Sequence, residues 1–127
     1  MLKIAAFLAG LTALVHLAIG TLDTLYPSLS GTAALAATGP VVASWYILGL
    51  VFCWSSWVFW KKSDATPSLG LLWVLGGLIF VALAFAGEGL SGLITLPQWS
   101  LLLPTGLLAI LGYRQVLKHP KRLPSFE

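Results

Sequence analysis

The segment PVVASWYILGLVFCWSSWVFW, residues 40–60, contains no charged side chain and runs directly into Lys61-Lys62. A hydrocarbon core of about 30 Å takes roughly 20 helical residues to cross, so this stretch has the length and composition of one transmembrane helix ending at a basic membrane surface. Working outward, the charge-free run that contains it reaches back to Thr24 and is too long for a single span. Its turn-forming part, Tyr26-Pro27-Ser28 through Gly39-Pro40, divides it. Ile4 to Leu22, Ala65 to Gly87 and Gly89 to Tyr113 are also free of charge. Four spans follow, at about 4–22, 40–60, 67–88 and 97–113, within a single membrane domain covering 1–127.

The whole composition agrees. Of 127 residues, 58% are hydrophobic and 9% charged, and the mean hydropathy is +0.94. A water-soluble domain carries about a quarter charged residues, so most of this surface must face lipid. Disorder, nucleic-acid binding and a secreted disulfide scaffold are excluded. Backbone polar groups must be paired inside the bilayer, which leaves helices or a closed barrel. The apolar runs lack the two-residue alternation of barrel strands. The expected fold is therefore all-α, a polytopic four-transmembrane-helix bundle.

Three of the spans share a device at their starts. Thr38-Gly39-Pro40, Thr66-Pro67 and Thr95-Leu96-Pro97 each set a hydroxyl just ahead of a proline, whose fixed φ and missing N–H suit a first helical turn. Pro104 lies within the fourth span and is expected to remove a backbone bond and kink it. Met1-Leu2-Lys3 before an apolar run imitates a secretory signal. The Ala-x-Ala-like site, Ala34-Leu35-Ala36, lies well past that run, so residues 4–22 read as a retained span.

Lys and Arg accumulate on the cytoplasmic side in short loops. All 7 of them, Lys3, Lys61, Lys62, Arg114, Lys118, Lys121 and Arg122, fall on one side of the four-span arrangement. Both termini are expected in the cytoplasm, with 23–39 and 89–96 outside and 114–127 a basic tail at the inner (plasma) membrane of a bacterial cell. The formal +3 charge is thus a topology signal, and Lys118-His119-Pro120-Lys121-Arg122 reads as anchoring to an anionic leaflet. Trp57 and Trp60 read as an interfacial aromatic belt.

Helices in lipid gain little from hydrophobic burial and associate through close backbone approach and hydrogen bonds. Ala6 and Gly10, Ala82 and Ala86, and Thr105 and Ala109 have the four-residue spacing of contact faces. Gly76-Gly77 reads first as a packing site and second as a ligand groove.

Lipid makes polar side chains costly, and an ionisable residue within a span is a functional candidate. His16 stands about 5 Å to the outer side of the midplane at 1.5 Å per residue. Asp23 falls two α-helical turns further on the same face. Trp45 and Tyr46 lie near the outer end of span two, Glu88 ends span three, and Gln98 and Trp99 begin span four. The polar residues thus crowd the outer half of an otherwise apolar bundle. One reading is an outward-facing intrabundle pocket lined by His16, Trp45, Tyr46, Glu88, Gln98 and Trp99, holding a small amphipathic or lipid-like ligand, or an accessory role. A second is a proton-coupled transporter with a relay of His16, Asp23 and Glu88. A third is a structural subunit of a larger membrane complex or a homo-oligomer. In a competing explanation, His16 bonds to a neighbouring helix and the acids are solvated helix ends.

Catalysis is disfavoured. No Ser/His/Asp order, phosphate loop or Cys-x-x-Cys is present. No metal or haem is expected, with one histidine inside the membrane and a lone thiol, Cys53, in span two. The expected partners are membrane lipids and the amphipathic ligand.

On its size, its four spans, its termini on one side, the segment His16-Leu17-Ala18-Ile19-Gly20 and the motif Pro97-Gln98-Trp99, the chain resembles the small bacterial four-helix inner-membrane proteins of poorly defined role that include the DoxX-like group. In place of that group's arginine early in span one stand Phe7, Leu8 and Ala9, and the resemblance assigns no functional residue. Small multidrug resistance transporters are similar in size alone, with an intramembrane glutamate where this chain has His16.

Overall fold

A computed structural model of the protein describes residues 1–29 and 35–118. Four helices in it are long and apolar enough to cross a membrane: Leu2–Leu25, Thr38–Lys61, Thr66–Glu88 and Trp99–Lys118. Among the described residues every regular element is helical. The protein is an all-α, multi-pass membrane bundle of four spans. His119, Lys121 and Arg122 of the expected basic tail lie outside the described residues.

Helix α1 (Leu2–Leu14) continues without a break into a π-helical segment, Val15–Leu25, followed by the short α2 (Tyr26–Leu29). Helix α3 covers Leu35–Lys61, α4 Thr66–Glu88, α5 Gly92–Thr95 and α6 Trp99–Lys118. The first span is therefore longer than expected, and the region 23–39, expected as an outer loop, is helical at its described residues, 23–29 and 35–39.

The helix starts follow the proline rule only in part. Pro67 does sit in the first turn of α4. Pro40, expected at a helix start, is instead the sixth residue of α3. There its missing N–H removes one backbone bond, to the carbonyl of residue 36, close to the helix end. Thr66 does not cap α4, because Ala65 holds the N-cap position, and the Thr66 hydroxyl is buried without a hydrogen-bond partner. Pro97 precedes α6, which starts at Trp99 and encloses Pro104 as expected.

Helix α3 stops through a left-handed residue. Lys62 has φ of 57°. Its N–H donates to the Phe59 carbonyl, and the Ser63 N–H donates to the Val58 carbonyl. This paired closure satisfies two of the carbonyls that any helix end leaves open.

Helix α1 packs against α3 and α6, and α4 packs most extensively against α6. The α3 and α4 backbones hardly approach one another. Small residues make the close seams possible. A Cβ added to Gly106 would lie 2.5 Å from the Gly70 carbonyl oxygen, so α4 and α6 meet backbone to backbone there. Gly77 is covered by Leu103, where a Cβ would come within 2.6 Å, which makes Gly76-Gly77 a packing site. Thr105 and Ala109 are fully buried as expected of a contact face; Ala6 is buried too, while Gly10 is half-buried. Ala82 and Ala86 instead are exposed; α4 turns Gly70, Trp73, Gly77 and Ala84 inward.

The wide α3–α4 seam is filled by rings. The Trp73 indole lies 4.8 Å from the Phe52 ring and 6.3 Å from that of Phe59. Its Nε1–H donates to Ser55 Oγ at 3.0 Å, and Ser55 Oγ–H donates to the Val51 carbonyl. Trp73 bulk sets the spacing of these two helices, while its polar edge is satisfied within the core.

The five described basic residues lie at one end of the bundle. Lys3 is placed over the Trp60 ring at 5.6 Å, Gly112 abuts Met1 and Leu2, and the Tyr113 hydroxyl donates to Asp64. These contacts bring the start of α1, the end of α3, the start of α4 and the end of α6 together.

Candidate functional site

Four of the six residues expected to line one pocket are divided between two places. His16 and Trp45 form the first. The two rings stack at 4.1 Å between centroids with 19° between planes, which leaves no cavity between them. His16 Nε2 is 2.9 Å from the Trp45 carbonyl oxygen. A carbonyl can only accept, so Nε2 carries the proton of this bond. The imidazole also meets the Phe52 ring edge to face at 5.4 Å, and the Trp45 indole Nε1–H donates to Thr21 Oγ1 at 3.1 Å. The Phe52 and Trp73 contacts extend this chain of rings down to Ser55.

The π segment makes the arrangement possible. His16, Gly20 and Thr21 belong to it, and a Cβ on Gly20 would come within 2.9 Å of the Trp45 ring. The indole therefore lies flat on the segment only because residue 20 is glycine. π-Helical geometry bonds residue i to i+5 and spends more residues on each turn than the α-helix. Seven residues no longer complete two turns, and the alignment of Asp23 with His16 expected for an α-helix is lost; Asp23 is exposed.

The second place is a clasp around α5. Thr95 Oγ1–H donates to Glu88 Oε2 at 2.8 Å, Ser91 Oγ–H donates to the Glu88 carbonyl, and Trp99 Nε1–H donates to the Leu93 carbonyl at 3.0 Å. A Cβ on Gly92 would be 2.2 Å from the Ala84 carbonyl oxygen, so the short helix is seated directly on α4. Glu88 and Trp99 tie this loop down, while Gln98 and Tyr46 are exposed. Glu88 and Trp99 bond within this clasp, whereas His16 and Trp45 bond to each other and to Thr21 at the first place.

His16→Ala is accordingly expected to lower stability in detergent by about 1.5 kcal/mol, the sum of one interhelical hydrogen bond and one aromatic stack. Denaturation by sodium dodecyl sulfate in mixed micelles measures it. An unchanged midpoint would contradict the locking role.

Open space lies beside the His16 cluster. A groove of about 500 Å³ runs along the α1–α3 seam, lined by Gly10, Ala13, Leu14, Leu17, Ala18, Cys53 and Ser56. Its floor is made by the Ser56 hydroxyl, which donates to the Ala6 carbonyl at 2.8 Å. Leu14, Ala18 and Cys53 are exposed on its rim. A shallower hollow of about 410 Å³ is bounded by α3 alone, from Pro40 to Leu48. Sequence reasoning followed polar residues and passed over the groove, whose walls are small and apolar. Its signal was the pairing of Gly10 and Ala13 on one helix with Cys53 and Ser56 on another, legible only once the two helices are known to be neighbours. Among the described residues no group of three His, Cys, Asp or Glu could hold a metal ion. No protein-family model, curated protein or solved structure matches this chain, and the fold and the side-chain geometry carry the functional reading.

Proposed function

We propose that the protein is a non-enzymatic membrane protein that holds a lipid-like amphiphile laterally, in the α1–α3 groove. The observation that carries the reading is the groove itself. Its volume of about 500 Å³ falls within the range of small-molecule sites, roughly 300–1,000 Å³. Its walls are aliphatic, its floor hydroxyl is already bonded to Ala6, and its rim opens to the side where lipid lies. Such a site offers an alkyl chain contact without demanding polar partners. The ligand class is the one the composition suggests, and its proposed seat is the flank of the bundle, where the α1–α3 groove lies.

The test is a substitution on the exposed rim. The purified protein is expected to carry one lipid-like molecule per chain in native mass spectrometry, and Cys53→Phe, which fills the groove from its open side, is expected to lose it. A wild-type protein without adduct, or a variant that keeps it, overturns the proposal.

A further inference from the structure

We propose that the occupant of this seam is one anionic phospholipid, its phosphate seated between Lys3 and Lys61 beside the Trp60 indole and one acyl chain lying in the groove. The inference rests on the groove reading above and adds the charge of the headgroup and the end of the bundle at which it sits.

Two stripes of side chains face each other along the seam. Residues 3, 7, 10, 14 and 17 recur at the helical spacing of one face on α1 and its continuation, and residues 60, 56, 53 and 49 do so on α3. Contacts at three levels fix their apposition. Lys3 lies over the Trp60 ring at 5.6 Å, a Cβ on Gly10 would meet Ser56 Oγ at 3.2 Å, and Leu17 covers Gly49. The basic end and the groove are therefore successive parts of one seam.

The dimensions match a single lipid. At 1.5 Å per residue along α1 the groove starts about 10 Å from Lys3, at Gly10, and passes Leu14 about 16 Å from it before continuing into the π segment. Half of a 30 Å hydrocarbon core is about 15 Å. A chain whose head rests at Lys3 thus enters the groove and ends near the bilayer centre.

Charge decides the direction and the sign. Lys3 and Lys61 are exposed, and among the described residues neither forms an ion pair. Asp64, the acid described at this end, accepts from Tyr113. The opposite end of the seam repels a phosphate: Asp23 stands there, and the Trp45 N–H is committed to Thr21. A lipid held from that end would lack cationic partners among the described residues, whereas one held at the basic end meets two lysines and an interfacial tryptophan, the side chains that recognise anionic headgroups.

The experiment uses the full chain, delipidated in detergent and titrated in native mass spectrometry with phosphatidylglycerol or phosphatidylcholine of identical acyl chains, and separately with inorganic phosphate. One phosphatidylglycerol is expected to bind about thirtyfold more tightly than phosphatidylcholine, which corresponds to ~1 kcal/mol for each of two lysines. Lys3→Gln with Lys61→Gln should erase that preference while leaving phosphatidylcholine binding intact, and Cys53→Phe should weaken both lipids. The two lysines are exposed, and an unchanged denaturation midpoint shows that the variant folds. Equal binding of the two lipids to the wild-type protein overturns the headgroup inference and leaves the groove reading standing. Binding of neither lipid overturns both. A preference that survives the double substitution, inorganic phosphate binding as tightly as the lipid, or a lipid-free dimer with the seam covered by a second copy each overturn the inference.

Discussion

Gly106→Ala is expected to pull α4 and α6 apart and to destabilise the bundle by about 3 kcal/mol, the upper part of the range for overpacked positions. The added Cβ would stand 2.5 Å from the Gly70 carbonyl oxygen and 2.8 Å from the Val74 backbone nitrogen. Both obstacles are backbone, so no rotamer change relieves the contact and one helix must move. That movement costs a great deal in lipid, where close packing and interhelical contacts replace the hydrophobic drive that holds soluble bundles together. Gly87→Ala on α4 is the matched control, since a Cβ there meets nothing within 4 Å. It should be neutral or stabilising by up to about 1 kcal/mol, the ordinary gain of alanine over glycine in a helix. In mixed micelles the denaturation midpoint of Gly106→Ala is expected to fall while that of Gly87→Ala holds or rises. Equal shifts would mean that the α4–α6 approach is not a determinant of the fold.

Trp73→Ala is expected to cost roughly 2–3 kcal/mol. In a soluble core the loss of a buried tryptophan costs about 3–5 kcal/mol, part of which is transfer from water. That part largely vanishes when the unfolded reference is also in lipid, leaving the cavity and the lost contacts with Phe52 and Phe59. Trp73→Phe keeps most of the ring packing and removes the hydrogen bond to Ser55, so it should cost nearer 0.6 kcal/mol, the average for such bonds within membranes. Ser55 Oγ continues to donate to the Val51 carbonyl, and no buried hydroxyl loses its only partner. The ratio of the two losses separates bulk from polarity. Equal losses would show that the hydrogen bond, and not the ring, holds the α3–α4 seam.

The four spans were legible because lipid imposes a coarse rule on long stretches: Lys61-Lys62 and the charge-free run before it can hardly mean anything else. The gathering of the basic residues was also legible: the contacts of Lys3 with Trp60 and of Tyr113 with Asp64 put the five described ones at one end of the fold. The site was harder. An α-helical wheel set Asp23 beside His16, but the backbone there is π-helical, a choice made by tertiary contact with Trp45 that no local propensity announces. Glu88 and Trp99 were expected as pocket-lining residues. Their hydrogen-bond partners are Thr95 and the Leu93 carbonyl, a few residues away in the chain. Trp73 drew no attention because an aromatic residue inside an apolar run looks ordinary; its role comes from Ser55, which is distant in sequence. The groove was hidden for a related reason, since a void is a property of two helices and neither one shows it alone.

The left-handed Lys62 joins α3 to α4 by a turn of a few residues, yet these chain neighbours are the pair that Trp73 holds apart. Each finds its intimate partner elsewhere: α3 pairs backward with α1, and α4 pairs forward with α6. During synthesis the first half of the chain can therefore complete its own hairpin before the second half has emerged, and α4 must wait for α6 before its glycine face is covered. The closest pairing in each half of the bundle is thus built from sequence on its own side of residue 62, and the halves meet through α1 with α6 and through the aromatic seam.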